Sequence, residues 1–253
     1  MRCDVNSKTT DPAKVLEAST VQPMRRGRPP KGNSAEGRDK LLEAATLLFS
    51  EQGLDSVSTR QLAKSAGVNL SAITYHFGGK EQLYEAAIRK AIDDLAHHRE
   101  AVIAHLETML DQANGDHHVL ASLIRAFLQG FVKVLVRDYF PVMAIRLIMR
   151  ELHHPTQAFD QLIELHINPV QDAIAKLSAV ARGRNMNDPE TRLLGISVTS
   201  QMLMLGIMQP VILARMGWAS YDGENADILI ASVTTSILRL LGLPDVTDPT
   251  EES

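Results

Sequence analysis

Cysteine is all but missing from this 253-residue chain: Cys3 stands alone, so no intrachain disulfide can brace the fold. A single thiol in a polar amino-terminal stretch fits a reducing cytoplasm. Aromatic residues make up only 4% of the chain, and no segment alternates polar and apolar residues for long. A sheet-built protein is therefore not expected, and abundant aliphatic residues and alanine point to an all-α fold. The first 33 residues contain no apolar run of the length a secretory signal needs. No nucleophile elbow, phosphate-binding Walker loop or dinucleotide-binding glycine pattern occurs, so nothing nominates an enzyme or a cofactor. The longest apolar stretch, Ile196–Met216, is interrupted by Gln201, Gln209 and Pro210 and opens with Ser197, Thr199 and Ser200. A membrane span needs about 20 uninterrupted apolar residues. This stretch reads instead as a fully buried helix of a soluble protein with no membrane partner.

Charge of one sign is also scarce where the other gathers. Residues 25–91 carry eleven Lys/Arg against seven Asp/Glu, whereas residues 92–253 carry twelve against twenty. A basic amino-terminal module on an acidic body suits a protein that meets a polyanion at one end, since screening confines attraction to roughly 8–10 Å.

That module contains the most informative stretch, Thr59–Lys80, TRQLAKSAGVNLSAITYHFGGK. Ser58 with Gln61 three positions on has capping-box spacing, predicting a helix over Thr59–Ala66. Gly67 makes a sharp turn, and Asn69 is placed to cap a second helix over Leu70–Phe77. Leu62, Ala63, Ala66, Val68, Ile73 and Phe77 form the apolar inside. Thr59, Arg60, Ser71, Ala72, Thr74, Tyr75 and His76 remain outward, a small, polar and aromatic face suited to a major groove. A plain structural hairpin buries aliphatic residues in the same way, so the pattern by itself leaves that reading open. Upstream, a helix over 35–52 is expected, capped by Asn33, with Leu41, Leu42, Ala44, Ala45, Leu48 and Phe49 inward and Gly53 at its end. Before it, Arg25-Arg26-Gly27-Arg28-Pro29-Pro30-Lys31 reads as an extended arm. Its Arg25, Arg26 and Arg28 could lie along a narrow minor groove, or simply form a solvated linker.

With these motifs in order (LLEAATLLFSEQG, then TRQLAKSAGV, then YHFGGKEQLY), the segment from about Arg38 to Leu83 resembles the DNA-binding domain of the TetR/AcrR family of bacterial transcriptional regulators. The remainder, including RLIMRELHHPTQAF and ARMGWASYDGE, is similar to the CecR branch of that family. The resemblance implies that the second helix of the pair enters the major groove. It places Thr59, Tyr75 and Lys80 at phosphates, and Arg60, Ser71, Ala72, Thr74 and His76 near base edges. Leu70 stands where some relatives carry a polar reader, so it can offer at most a thymine-methyl contact. Lys80, at the start of a long helix expected to reach about Leu110, would share a phosphate with that helix's free N–H groups.

Further helices are expected at about 117–136, 140–153, 156–182, 189–215 and 223–241, with kinks at Pro169 and Pro210. The paired histidines, His97-His98, His117-His118 and His153-His154, diverge by about 100° on a helix and make poor chelates, so no metal site is assigned. Arg146, Arg150, Glu151, His153 and His154 could edge a ligand cavity, tie the body to the amino-terminal module, or form a surface salt-bridge set. Phe127, Phe131, Met143, Ile145, Met149, Met202 and Met204 are candidates for lining an apolar cavity. The last two long helices carry Leu194, Val198, Met202, Leu205, Ile230, Val233, Ile237 and Leu241. These residues could complete one subunit's core; the resemblance implies a four-helix dimer contact across a two-fold axis.

The organisation expected is a disordered tail with a basic arm over 1–33, a helix-turn-helix domain over 34–80, a helical ligand-binding and dimerisation domain over 81–243, and a flexible end over 244–253. The function expected is a sequence-specific, homodimeric DNA-binding regulator in the cytoplasm. It would repress until a small molecule releases it from a palindromic operator. Activation, ligand-independent regulation and an all-helical enzyme are the alternatives.

Overall fold

The computed structural model of the chain describes residues 31–136 and 142–245. The arm residues Arg25, Arg26 and Arg28 lie outside the described residues, as do Cys3 and the segment from 246 onward. Among the described residues the chain forms twelve α-helices and no strand. Helix α1 (Lys31–Gln52) starts earlier than expected, so Asn33 stands inside it and is not its cap. It ends at Gly53, φ +83°.

Helices α2 (Thr59–Ala66) and α3 (Ser71–Phe77) follow. The capping box is present: the Gln61 N–H donates to Ser58 Oγ (3.2 Å), and the Ser58 N–H donates to Gln61 Oε1 (2.8 Å). Gly67 closes α2 at φ +65°, and its N–H and that of Val68 return to carbonyls of the last turn. A side chain there would force the left-handed strain that only glycine avoids. The cap of α3 differs from expectation. Leu70 occupies it with helical dihedrals and no side-chain bond, while Asn69 supplies only its carbonyl, accepting from the Ala72 N–H at 2.9 Å.

The long helix expected from Lys80 is two helices, α4 (Lys80–Asp94) and α5 (Ala96–Ala113), parted at Leu95. Leu95 is buried with the residues of α4, whereas Leu106 and Met109 of α5 belong to a different core. The break lets one amphipathic stripe change partners. After α6 (His117–Val136) and α7 (Val142–His153) comes a stretch expected as one helix. It runs as α8 (Phe159–Leu162), a π-helical turn (Ile163–Ile167) and α9 (Asn168–Arg182). Pro169 has no N–H to give to Leu165 and its ring crowds that carbonyl. The Asn168 N–H bonds instead to Ile163 O, five residues back, widening the turn. Helix α10 (Pro189–Ile207) stops at Met208 and α11 (Gln209–Met216) leaves at 68°. Pro210 accounts for the stop, since a continued helix would drive its ring into Gly206 O. The chain closes with α12 (Gly223–Leu241).

Three apolar cores result. The first joins α1, α2 and α3 with α4, α7 and the Ala158–Leu162 region, so the domain boundary expected at 80/81 falls inside one core. The second lies among α5, α6, α9, α10 and α12. A smaller third core gathers Val132, Leu205, Tyr221, Leu229 and Ile230, with the Tyr221 hydroxyl donating to Leu205 O at 3.1 Å. Two sequence expectations are corrected here. Val198, Leu205, Ile230, Ile237 and Leu241 are buried in these cores and offer no surface to a partner subunit, while Leu194, Met202 and Val233 pack half-buried against them. Ile196–Met216 is not fully buried, because Ile196, Leu203, Met204, Ile207, Met208, Val211 and Met216 are exposed. The stretch is apolar all round because one face packs inward and the other carries an apolar row. No single helix among the described residues is long and apolar enough to cross a membrane.

Helices α9 and α10 pack closely at Gly195, where an added Cβ would lie 3.3 Å from Ala175 N. Gly195→Val is expected to push them apart at a cost of about 1–3 kcal/mol, read as a lowered midpoint in thermal unfolding followed by circular dichroism. An unchanged midpoint would contradict this packing.

Candidate nucleic-acid interface and cavity

The amino-terminal end presents α3 to solvent. Ser71, Thr74 and Tyr75 are exposed, Tyr75 to 77%, while Ala72 and His76 are half-buried. His76 Nε2 lies 3.9 Å from where Gly37 would carry a Cβ, so its ring is turned partly toward α1. Tyr75 and His76 meet edge to face at 4.8 Å. Arg60 is exposed on α2, Thr59 half-buried beside it, and Leu70 half-exposed at the entry to α3. These residues share one surface, and the apolar partners that sequence placed behind them belong to the first core. Arg38 adds a cation that the sequence reading missed. Its guanidinium sits 5.0 Å over the Phe77 ring, near the end of α3, a pairing of residues far apart in sequence.

Lys80 has a second role beside the expected one. Its Nζ donates to Leu54 O (2.9 Å) and Val57 O (3.3 Å), closing the α1–α2 loop. An ammonium group has three protons, so one remains for a phosphate.

The polar cluster on α7 separates into three tasks. Glu151 is fully buried and accepts from the Tyr84 hydroxyl of α4 (2.9 Å) and from the Thr156 N–H (2.7 Å). Burial, reinforced by that bond, pushes the Tyr84 hydroxyl well above the usual phenol range. Arg150 Nε donates to Ser50 O (2.9 Å), and its Nη2 donates to Glu51 O, so it grips the last turn of α1. Arg146, His153 and His154 line a groove of about 1120 Å³ between α7, α10 and the end of α1. The cluster therefore both ties body to head and edges a cavity, and does so through hydrogen bonds.

That groove shares Phe131, Ile145, Met149, Met202 and Leu203 with an inner cavity of about 250 Å³. Of the seven residues expected to line an apolar cavity, Phe127, Phe131, Ile145, Met149 and Met202 line this one. Met143 and Met204 do not; they are exposed to 48% and 43% on the outer faces of α7 and α10. Helical phase explains the split: Met204 lies two residues, about 200°, from the inward-facing Met202. The sequence reading missed the cavity's polar members, His98, Arg99, His166 and Thr199. Arg99 Nη1 lies 3.4 Å from His166 Nδ1, a pairing 67 residues apart that depends on the π-helical turn. Burial, with Arg99 beside it, depresses the His166 pKa to about 4, so the ring is neutral near pH 7. Ile148 both lines this cavity and belongs to the first core, so α7 is a wall common to cavity and head. Among the described residues no group of three or more His, Cys, Asp or Glu is placed to hold a metal ion.

Comparison with known proteins fits this geometry. Residues 41–87 match the family model "Bacterial regulatory proteins, tetR family". Residues 120–242 match "HTH-type transcriptional dual regulator CecR, C-terminal domain". The chain is 31% identical to the HTH-type transcriptional dual regulator CecR of Shigella flexneri over 214 residues, 84% of this chain and 94% of that protein. The amino-terminal part is 31% identical over 81 residues to the HTH-type transcriptional repressor KstR2 of Mycolicibacterium smegmatis, covering 32% of this chain and 40% of that one. The fold is also that of AibR, solved in complex with isovaleryl coenzyme A and operator DNA, with TM-score 0.50 and 16% identity over 82% of this chain and all of that one. An exposed reading helix, a head fused to a helical body and a match along nearly the whole of CecR together place the chain in the TetR family of bacterial transcriptional regulators, with a CecR-type carboxy-terminal domain.

Proposed function

We propose that this regulator acts as a homodimeric repressor and leaves a near-palindromic operator when a small molecule enters the inner cavity. The observation that carries the DNA half is the solvent-facing row of α3, Ser71, Thr74 and Tyr75, backed by a rigid capped hairpin. Ser71 and Thr74 reach base edges, with Ala72 and His76 at the margins. Arg60 reads from α2. Thr59, Tyr75 and Lys80 hold phosphates.

Dimerisation rests on a corrected set of residues. Leu193, Ile196, Leu203, Met204, Ile207 and Val211 are 41–62% exposed and recur at helical spacing along α10 and into α11. Ser197, Ser200 and Gly206 are exposed among them, and Ala231 and Ser232 are exposed on α12. Small residues interleaved with an apolar row let helices of two copies approach closely, and a row this size is costly to leave in water. A two-fold dimer then presents two copies of α3 and calls for a palindromic site.

Release follows from α7. A molecule that displaces Ile145, Ile148 and Met149 moves the wall that Arg150 and Glu151 fasten to α1 and α4. Because the chain breaks at Leu95, α4 follows α7 and not α5. The spacing of the paired readers changes, and ligand and DNA weaken each other's binding reciprocally. A second reading, activation at some promoters, is favoured by the description of CecR as a dual regulator.

Two outcomes are expected. With operator selected from random DNA, Tyr75→Ala weakens binding about tenfold for all sequences and leaves the unfolding midpoint unchanged. Lys80→Ala lowers both, since it also unties the α1–α2 loop, and Arg60→Ala reduces sequence preference. Fluorescence anisotropy across salt concentrations measures each, and unchanged affinity in all three variants would refute the reading. Separately, Ile196→Arg is expected to convert a dimer to monomers in light scattering and to lose operator binding. A dimer that persists would place the contact elsewhere.

A further inference from the structure

We propose that the inner cavity takes a compact apolar monocarboxylate, its hydrocarbon part enclosed by the walls and its carboxylate on Arg99 and His166. The inference rests on the cavity being the effector site and names the chemistry that site selects. Arg99 lines an otherwise largely apolar space. Its only polar contacts among the described residues are long ones, Nη1 to Ile92 O and to His166 Nδ1, both 3.4 Å. Among the described residues no carboxylate lies within ion-pair distance of it, although exposed arginines such as Arg89 and Arg184 have acidic neighbours. A guanidinium offers five donors in a plane, matched to the two oxygens of a carboxylate, and among the described residues only Nη1 has a partner.

The other lining residues narrow the choice. Among the described residues no Asp or Glu lines the cavity, so a cationic ligand would meet a like charge with nothing there to offset it. Thr199 is already engaged, its hydroxyl donating to Gly195 O at 3.0 Å. His166 is neutral near pH 7, and with Nδ1 facing the Arg99 donor its proton belongs on Nε2, a second donor for an anion. Arg99 as the fixed cation and His166 as a neutral donor, with the His98 imidazole as a further polar member of the lining, suit a single negative charge. The cavity of about 250 Å³ suits a compact ligand, and it adjoins the larger groove through the lining residues the two share. Phe127 and Phe131, stacked at 6.4 Å, give the apolar end a flat wall.

Octanoate, 1-octanol and octylammonium are the probes, titrated into the full-length protein and into Arg99→Met by isothermal calorimetry. Octanoate is expected to bind wild type at least about tenfold more tightly than octanol, with octylammonium weakest. Arg99→Met is expected to lose that preference while keeping its affinity for octanol, which also shows that the variant folds, and Arg99→Lys is expected to recover part of it. Equal binding of octanol and octanoate by wild type, or undiminished octanoate affinity in Arg99→Met, overturns the carboxylate assignment and leaves the cavity as an effector site. If none of the three probes binds, the carboxylate assignment and the cavity's role fail together.

Discussion

Glu151 has no contact with solvent, yet both of its oxygens are satisfied, one by the Tyr84 hydroxyl from α4 and the other by the Thr156 backbone just beyond α7. A carboxyl group enclosed this way costs several kcal/mol if its donors withdraw, far more than the bonds add when made. The arrangement therefore has one low-energy position. It joins α7, a helix of the body, to α4, the helix that carries the reading pair, and the fused first core follows from that seating. Arg150 extends the same attachment to α1 through carbonyls left unpaired at that helix's end. Head and body are thus one packed unit along α7, and any change in that helix is a change in the head.

The reading pair was legible in the sequence because its signals are local. Ser58 and Gln61 lie three residues apart, Gly67 requires a left-handed backbone, and the inward positions keep helical period over a few turns. Tertiary context could alter only details, as it did in moving the cap of α3 from Asn69 to Leu70.

The body was legible as helices but not as surfaces. On α10 the inward residues Leu194 and Val198 and the outward residues Leu193 and Ile196 are equally apolar, so the pattern carries no phase. Burial alone tells them apart, and Val198, Leu205, Ile230, Ile237 and Leu241, expected at a subunit contact, are core residues. The same loss of phase misplaced Met204, while Met202, two positions away, was assigned correctly. Contacts between distant residues left no trace either: Arg150 reaches Ser50 across 100 positions, and Arg99 meets His166 across 67. The second of these also needs the widened turn forced by Pro169, whose kink was expected but whose effect on the His166 direction was not.

The interruption at Leu95 has a mechanical corollary. An unbroken rod from Lys80 into the far body would carry torsion along its axis, and jostling of any distal helix would arrive at the groove-facing surface undiminished. The interruption instead falls where the chain leaves the first core for the second, so α4 and α5 answer to different neighbours. Helix α4 shares its core with α7, and Tyr84 and Glu151 bond across that contact, whereas α5 packs among α6, α9, α10 and α12. The seam between the two cores thus lies inside what sequence reads as one rod, and α7 is the element of the body seated on the amino-terminal side of it.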